Sequence, residues 1–222
     1  MSYAVKELYY TLQGEGAQCG RGAVFCRFAG CNLWTGREAD RRTAVCDFCD
    51  TDFVGTDGPG GGKFSSAADL TAAILACWNE HVADSTDKPQ DQARLRPYIV
   101  FTGGEPLLQL DMDLIDRLHE QGTVIAVETN GTMAAPSGID WLCVSPKAGA
   151  ELVQRSGDEL KLVYPQPGLQ PENLEQLPFQ HFFLQPMDGP QQAENIRATV
   201  EYCLAHPRWR LSLQTHKLLG LR

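Results

Sequence analysis

Seven short apolar, β-rich runs divide the chain, and four of them stop abruptly on a polar cluster. The runs are "AVFCRFAG" (23–30), "YIVFTGG" (98–104), "TVIAVETNG" (123–131), "DWLCVSPK" (140–147), "ELKLVYP" (159–165), "HFFLQPMD" (181–188) and "WRLSLQTHK" (209–217). Helical patterns lie between several of them. "SSAADLTAAILACWNEHV" (65–82) opens on a serine cap with Asp69 in its first turn, and its apolar residues recur at helical spacing. "DMDLIDRLHEQG" (111–122) ends in glycine, and "PQQAENIRATVEYCLAH" (190–206) is opened and capped by its own turn. Strands alternating with helices predict parallel strands joined by right-handed crossovers.

Six or seven such strands suit an α/β barrel or part of one, whose chemistry sits at the C-terminal strand ends. "TGGEP" (102–106), "ETNG" (128–131), "SPK" (145–147) and "QPMD" (185–188) each follow directly on a β-rich run, so the four point to one site. At 222 residues the chain is most economically a single domain, 1–222. Two polar stretches read as loop insertions at the surface, near 52–64 and 84–97. The first contains the glycine-rich "GTDGPGGGKF" (55–64); the second is the proline-punctuated "DSTDKPQDQARLRP". "GPGGGK" stops short of a phosphate loop, because Asp57 stands at the first glycine position and Phe64 at the Ser/Thr position.

The formal net charge of -9 argues against a nucleic-acid face, which needs a basic footprint. The start, "MSYAVKELYYTLQGEG", has no basic region followed by an apolar stretch, and no run of about 18 apolar residues spans a membrane. The expectation is a cytoplasmic protein. In that reducing compartment its eight cysteines serve metal binding or catalysis rather than disulfides.

Three of those cysteines share one stretch, "CNLWTGREADRRTAVCDFCDT" (31–51). Fourteen residues separate Cys31 from Cys46, and two separate Cys46 from Cys49. With Cys26 they could make a structural zinc site. The strand "VFCRFA" argues otherwise, since alternation puts Val24, Cys26 and Phe28 on one side and Phe25 and Arg27 on the other. Within a barrel, Arg27 then faces the lumen and Cys26 the outer layer, as a small buried hydrophobe. Cys19, Cys77, Cys143 and Cys203 are read the same way. Three thiolates with one open position suit a 4Fe–4S cluster that keeps one iron for a ligand.

A cluster loop on the first such strand, the aromatic Phe48 inside "CDFC" and "TGGEP" at the next strand's end resemble the radical S-adenosylmethionine superfamily. The usual CX3CX2C is replaced here by CX14CX2C. With "LQGEG" (12–16), "FCRFAGCNLW" (25–34), "CDFCDT" (46–51) and the terminal "QTHK", that spacing resembles the 7-carboxy-7-deazaguanine synthase family of queuosine (7-deazapurine) biosynthesis, and the match runs end to end. The resemblance implies an abbreviated, partial TIM-like barrel of about six parallel strands with few helices, working as a homodimer. It implies a 4Fe–4S cluster on Cys31, Cys46 and Cys49, with S-adenosylmethionine chelating the open iron to yield a 5′-deoxyadenosyl radical. Backbone around Phe48, Cys49 and Asp50 is implied to hold the adenosine end. Gly104 lets the chain approach the methionine amino group, Ser145, Pro146 and Lys147 form the next cofactor contact, and Gln185, Pro186, Met187 and Asp188 form a further one. Glu128 is a ribose candidate.

The implied substrate is 6-carboxy-5,6,7,8-tetrahydropterin, contracted to 7-carboxy-7-deazaguanine with loss of ammonia, which makes the enzyme a carbon–nitrogen lyase. Leu12, Gln13 and Gly14 would contact the pterin, Glu15 its donor edge and Arg27 its carboxylate as a bidentate fork. Thr102 would add a hydroxyl, His216 would line the pocket, and the carboxylate of Arg222 would reach the substrate. Thr51 matches a Mg2+ ligand, at a site that forms with substrate bound. A flavodoxin-like or other low-potential donor would supply electrons. Two alternatives stay open from the residues themselves: an activase that places a glycyl radical on a protein partner, and a zinc-stapled binding module without catalysis.

Overall fold

Alternation along each strand sorts the residues of this protein into two faces, and that sorting builds the molecule. The computed structural model describes residues 2–82 and 96–221. Its strands are β1 (Tyr3–Leu12), β2 (Gly22–Phe28), β3 (Gly62–Phe64), β4 (Tyr98–Gly103), β5 (Val124–Thr129), β6 (Trp141–Val144), β7 (Gly157–Tyr164), β8 (Phe179–Pro186) and β9 (Arg210–Leu211). Its helices are α1 (Ala67–Val82), α2 (Met112–Glu120), α3 (Gln192–Ala205) and α4 (Thr215–Leu219). All nine strands form one sheet in the order β3-β1-β2-β4-β5-β6-β7-β8-β9. From β2 to β9 every neighbouring pair is parallel, while β1 runs antiparallel to both β2 and β3. The architecture is a partial TIM-like barrel, with a longer parallel run than the six strands expected, ended by the two-residue β9.

One face of the longer strands feeds a single apolar core. Cys26 and Phe28 of β2, Phe101 of β4, Val127 of β5, Leu160 and Leu162 of β7 and Leu184 of β8 are fully or almost fully buried there. Leu70 and Ile74 of α1 and Leu114 and Leu118 of α2 cover them. The opposite face carries Arg27, Thr102, Glu128 and Lys161, and a small second cluster of Ala23, Phe25, Tyr98, Val100 and Ala126 packs on that side. The register locks the two faces across strands: Cys26 lies beside Phe101, and Arg27 beside Thr102.

The helix signals hold. Ser66 Oγ accepts from the Asp69 amide at 3.1 Å, Asp111 caps α2 by accepting from Leu114 N at 3.1 Å, and Gly122 follows α2 with φ 72°. The N-cap of α3, Gln191, makes no side-chain cap bond, unlike the capped opening expected there.

Several expectations are corrected. The first ten-residue strand, β1, is absent from the sequence reading because Lys6 and Glu7 interrupt its apolar alternation, and a bulge between Val5 and Glu7 shifts its register. The 209–217 run holds only the short β9 before the chain turns into α4. The glycine-rich stretch is no free excursion. Pro59 O accepts from Leu8 N at 2.8 Å, Gly58 N donates to Lys6 O at 2.9 Å, and β3 then pairs with β1. A Cβ at Gly61 would stand 2.2 Å from Lys6 O, so the glycines let this segment lie flat on the sheet edge. The 84–97 insertion lies outside the described residues except for Arg96 and Pro97. No helix among the described residues is long and apolar enough to cross a membrane.

Candidate active site

The C-terminal strand ends, the turn after β1 and the loop after β2 surround a solvent-open cleft. One wall carries Cys31, Cys46 and Cys49 with Leu33, Trp34 and Phe48; the far wall carries Gln13, Glu15, Arg27, Glu128 and Lys161. All eight cysteines are free thiols.

The cysteine wall is held by polar links between segments distant in sequence. Glu105 of "TGGEP" is fully buried and accepts from Leu107 N at 3.0 Å, Thr129 Oγ1 at 2.8 Å and Asn130 N at 2.8 Å. Burial pushes its carboxyl above the usual range, against the pull of those donors. Asn130 Nδ2 in turn donates to Asn32 Oδ1 at 3.0 Å, tying "ETNG" to the residue after Cys31. Gly104 also serves the packing of the protein itself. A Cβ there would stand 2.2 Å from Gly30 O and 2.7 Å from Cys31 Cβ, so its missing side chain makes room for the cysteine loop. Arg41 donates to Asp47 O at 2.8 Å and Cys49 O at 3.0 Å while stacking over Trp34, which fixes the turn between Cys46 and Cys49.

The thiols face one another. The Cys46 thiol donates toward Cys49, which pulls Cys49 down to about 6 and pushes Cys46 up; burial pushes Cys31 up. Lys147, whose ammonium burial lowers, donates to Ser145 O and Oγ at 2.7 Å each and adds positive charge beside Cys46 and Cys49. Three soft ligands on one wall, with a cation beside them, fit a cluster that takes one thiolate per iron. Among the described residues no group of three or more His, Cys, Asp or Glu could hold a metal ion by itself. Cys26 is wholly buried in the core on the other face of β2, where burial pushes its thiol far up, so the four-cysteine zinc reading fails. Cys143 is buried as expected, Cys77 and Cys203 are half-buried, and Cys19 is exposed, 3.4 Å from Thr215 Oγ1.

At the far wall, Arg27 faces the cleft. Its Nε donates to Glu7 at 2.8 Å and its Nη2 to Tyr9 Oη at 3.2 Å, leaving further N–H groups for an anion. Gln13 Nε2 donates to Glu128 Oε1 at 2.9 Å, and Lys161 Nζ donates to Glu15 Oε2 while lying 3.6 Å from Glu128 Oε1. Gln214 Nε2 joins Glu15 at 3.1 Å and Asp50 at 3.0 Å. Lys217 Nζ bridges Asp50 at 2.5 Å and Asp188 at 2.6 Å. The segment "QTHK" thus straps the end of β8 to the cysteine loop. Thr215 anchors it by donating from N and Oγ1 to Gly14 O at 3.0 and 2.8 Å, and His216 fills the space a Gly14 Cβ would take.

The cleft gathers Leu12, Gly14, Thr51, Thr102, Ser145, Gln185, Pro186 and Met187 along with the residues above. Pro146 is buried away from it, with its carbonyl 3.4 Å from Gln166 Nε2, and Arg222 lies outside the described residues. Sequence reasoning passed over Lys161, Lys217, Glu7 and Arg41. The signal for Lys161 was present in "ELKLVYP", where two charges alternate with buried leucines.

No protein-family model matches the chain. It is 62% identical over 221 residues to the 7-carboxy-7-deazaguanine synthase of Bordetella pertussis, covering all of both chains. It is likewise 62% identical over 222 residues, again the whole of both, to the enzyme of that name from Bradyrhizobium diazoefficiens. The crystal structure of QueE from Escherichia coli superposes with a TM-score of 0.63 at 27% identity, covering 96% of this chain and 94% of that one. The glycyl-radical activase alternative gives way to these full-length relatives. With its CX14CX2C wall facing a carboxylate-rich wall across one cleft, the chain belongs to the 7-carboxy-7-deazaguanine synthase family, of the radical S-adenosylmethionine type.

Proposed function

We propose that this protein converts 6-carboxy-5,6,7,8-tetrahydropterin to 7-carboxy-7-deazaguanine and ammonia, with a 4Fe–4S cluster, S-adenosylmethionine and Mg2+. Ammonia is all that leaves, so the ring contraction needs no net oxidant. The observation that carries this reading is the division of one cleft into a thiol wall and a carboxylate–arginine wall. The bound cluster and S-adenosylmethionine supply reversible one-electron hydrogen-atom abstraction.

Cys31, Cys46 and Cys49 would hold the cluster, and Lys147 would meet the carboxylate of the cofactor. Phe48, Asp50, Gly104, Ser145, Gln185, Pro186, Met187 and Asp188 would frame its remainder, with Glu128 at the boundary between the two ligands. Glu7 and Tyr9 aim Arg27 at the pterin carboxylate. Gln13, Gly14, Glu15 and Thr102 receive the ring, while Leu12, Phe25 and Trp34 narrow the cleft and exclude water. Thr51, next to the cysteine loop, would offer Mg2+ one oxygen beside those of substrate and water. The same reading takes the chain as one cytoplasmic domain fed by a flavodoxin-like donor. It pairs as a homodimer, to which exposed Leu204, Leu218 and Leu219 offer apolar surface.

The test is an anaerobic reaction of reconstituted enzyme with the carboxytetrahydropterin, S-adenosylmethionine, Mg2+ and a strong reductant, followed by mass spectrometry. A carboxydeazaguanine mass without stoichiometric loss of S-adenosylmethionine is expected. Accumulation of 5′-deoxyadenosine and methionine alone would remove the substrate assignment.

A further inference from the structure

Lys161 joins Glu15 and Glu128, two carboxylates of the far wall. On β7 it shares the cleft side with Val163, while Leu160 and Leu162 point into the core. Its side chain is only 6% exposed, and its ammonium ion-pairs with Glu15, from the turn after β1, and with Glu128 Oε1, from β5, at 3.6 Å. Two nearby amides reach the same acids: Gln13 donates to Glu128, and Gln214 donates to Glu15 as well as to Asp50. Glu159, two residues earlier, is engaged elsewhere, accepting from Ala17 N at 2.8 Å and from the Cys143 thiol at 3.5 Å. Three elements therefore converge on one buried cation.

A buried ion pair is a weak source of stability, because desolvation offsets most of its attraction. Its value lies in holding acceptors where something with donors will use them. A ring carrying N–H groups along one edge is the ligand such a wall discriminates, since an analogue lacking a donor leaves a partly buried carboxylate with one donor fewer. We propose that Lys161 is a positioning residue for substrate recognition, fixing Glu15 and Glu128 as paired acceptors for the N–H edge of the pterin ring. This rests on the substrate reading above.

The experiment measures anaerobic equilibrium binding of carboxytetrahydropterin, of its analogue lacking the 2-amino group, and of S-adenosylmethionine, together with kcat, KM and thermal melting. Lys161→Met is expected to weaken pterin binding and raise KM by about tenfold or more. S-adenosylmethionine binding stays at the wild-type level, and the preference for the ring bearing the amino group shrinks. Lys161→Arg recovers part of the binding. The double variant Glu15→Gln with Lys161→Met regains melting temperature but not pterin affinity. Unchanged pterin affinity in Lys161→Met, or a double variant that regains melting and affinity together, would assign Lys161 a structural role and overturn the inference. A wild-type enzyme that neither binds nor converts the pterin overturns the substrate reading first, and this inference with it.

Discussion

Gly14 shows how a single absent atom sets the site. A Cβ there would stand 2.3 Å from His216 Nδ1, and the obstacle is a side chain rather than backbone. Gly14→Ala is therefore expected to displace His216 and loosen the strap while leaving the melting temperature near wild type; calorimetry beside pterin affinity separates the two. The Glu15–Lys161 pair carries a pH signature. Burial alone would raise Glu15, but Lys161 outweighs it and holds the carboxyl below the usual range. Burial would lower Lys161, but Glu128 and Glu15 hold its ammonium well above the usual range. Glu15 thus contributes stability that is complete above its unfolded value of about 4.3 and lost as pH falls through the lowered one. Lys161 contributes stability that is complete below about 10.4 and lost as pH rises through the raised one. Urea midpoints followed across pH are expected to show shallower acid and alkaline limbs in the Glu15→Gln, Lys161→Met protein than in the wild type, with Asp50 and Lys217 supplying part of the remainder.

At the scale of one element, β2 separates structure from chemistry by a single residue step. Cys26 looks into the core and Arg27 into the cleft, so neighbours in sequence have unrelated duties. Cys26→Ala is expected to keep the wild-type iron content of reconstituted protein and to cost about 1 kcal/mol of stability, the ordinary size of a core truncation. Cys31→Ala, Cys46→Ala and Cys49→Ala are each expected to lose the iron. Retention of iron by all three would end the cluster assignment. The neighbouring β1 shows the limit of pattern reading. Lys6 is almost buried within it because its ammonium meets Val54 O at 2.8 Å and Asp57 at 2.7 Å, a solution invisible to a hydrophobic period.

Across the whole molecule, the C-terminal strap joins parts that no local signal connects. Lys217 reaches Asp50, 167 positions earlier, and Asp188 at the end of β8. Its ion pairs are about a third exposed, so Lys217→Met is expected to change stability by less than about 1 kcal/mol. Without the shared cation, however, Asp50 and Asp188 face each other unscreened, and S-adenosylmethionine is expected to bind more weakly. Isothermal titration of reconstituted protein will check this. A net charge of -9 coexists with Arg27, Lys147 and Lys161 lining the cleft, so cations face it locally although the chain as a whole is acidic.

The sequence by itself determined the parallel core, most helix positions, the outward Cys26, the inward Arg27 and the convergence of four strand-end motifs. Those properties follow from periods of two and 3.6 residues, which any short window contains. Only the tertiary structure decided that β1 joins the sheet through a bulge, that a glycine-rich stretch seals its edge, and that Gly104 yields its space to Cys31. Only it decided which charges meet: Lys161 with Glu15, 146 positions apart, and Lys217 with two aspartates. The reason is physical. A strand's period says which face a side chain takes, but sheet order and register determine which distant side chain shares that face.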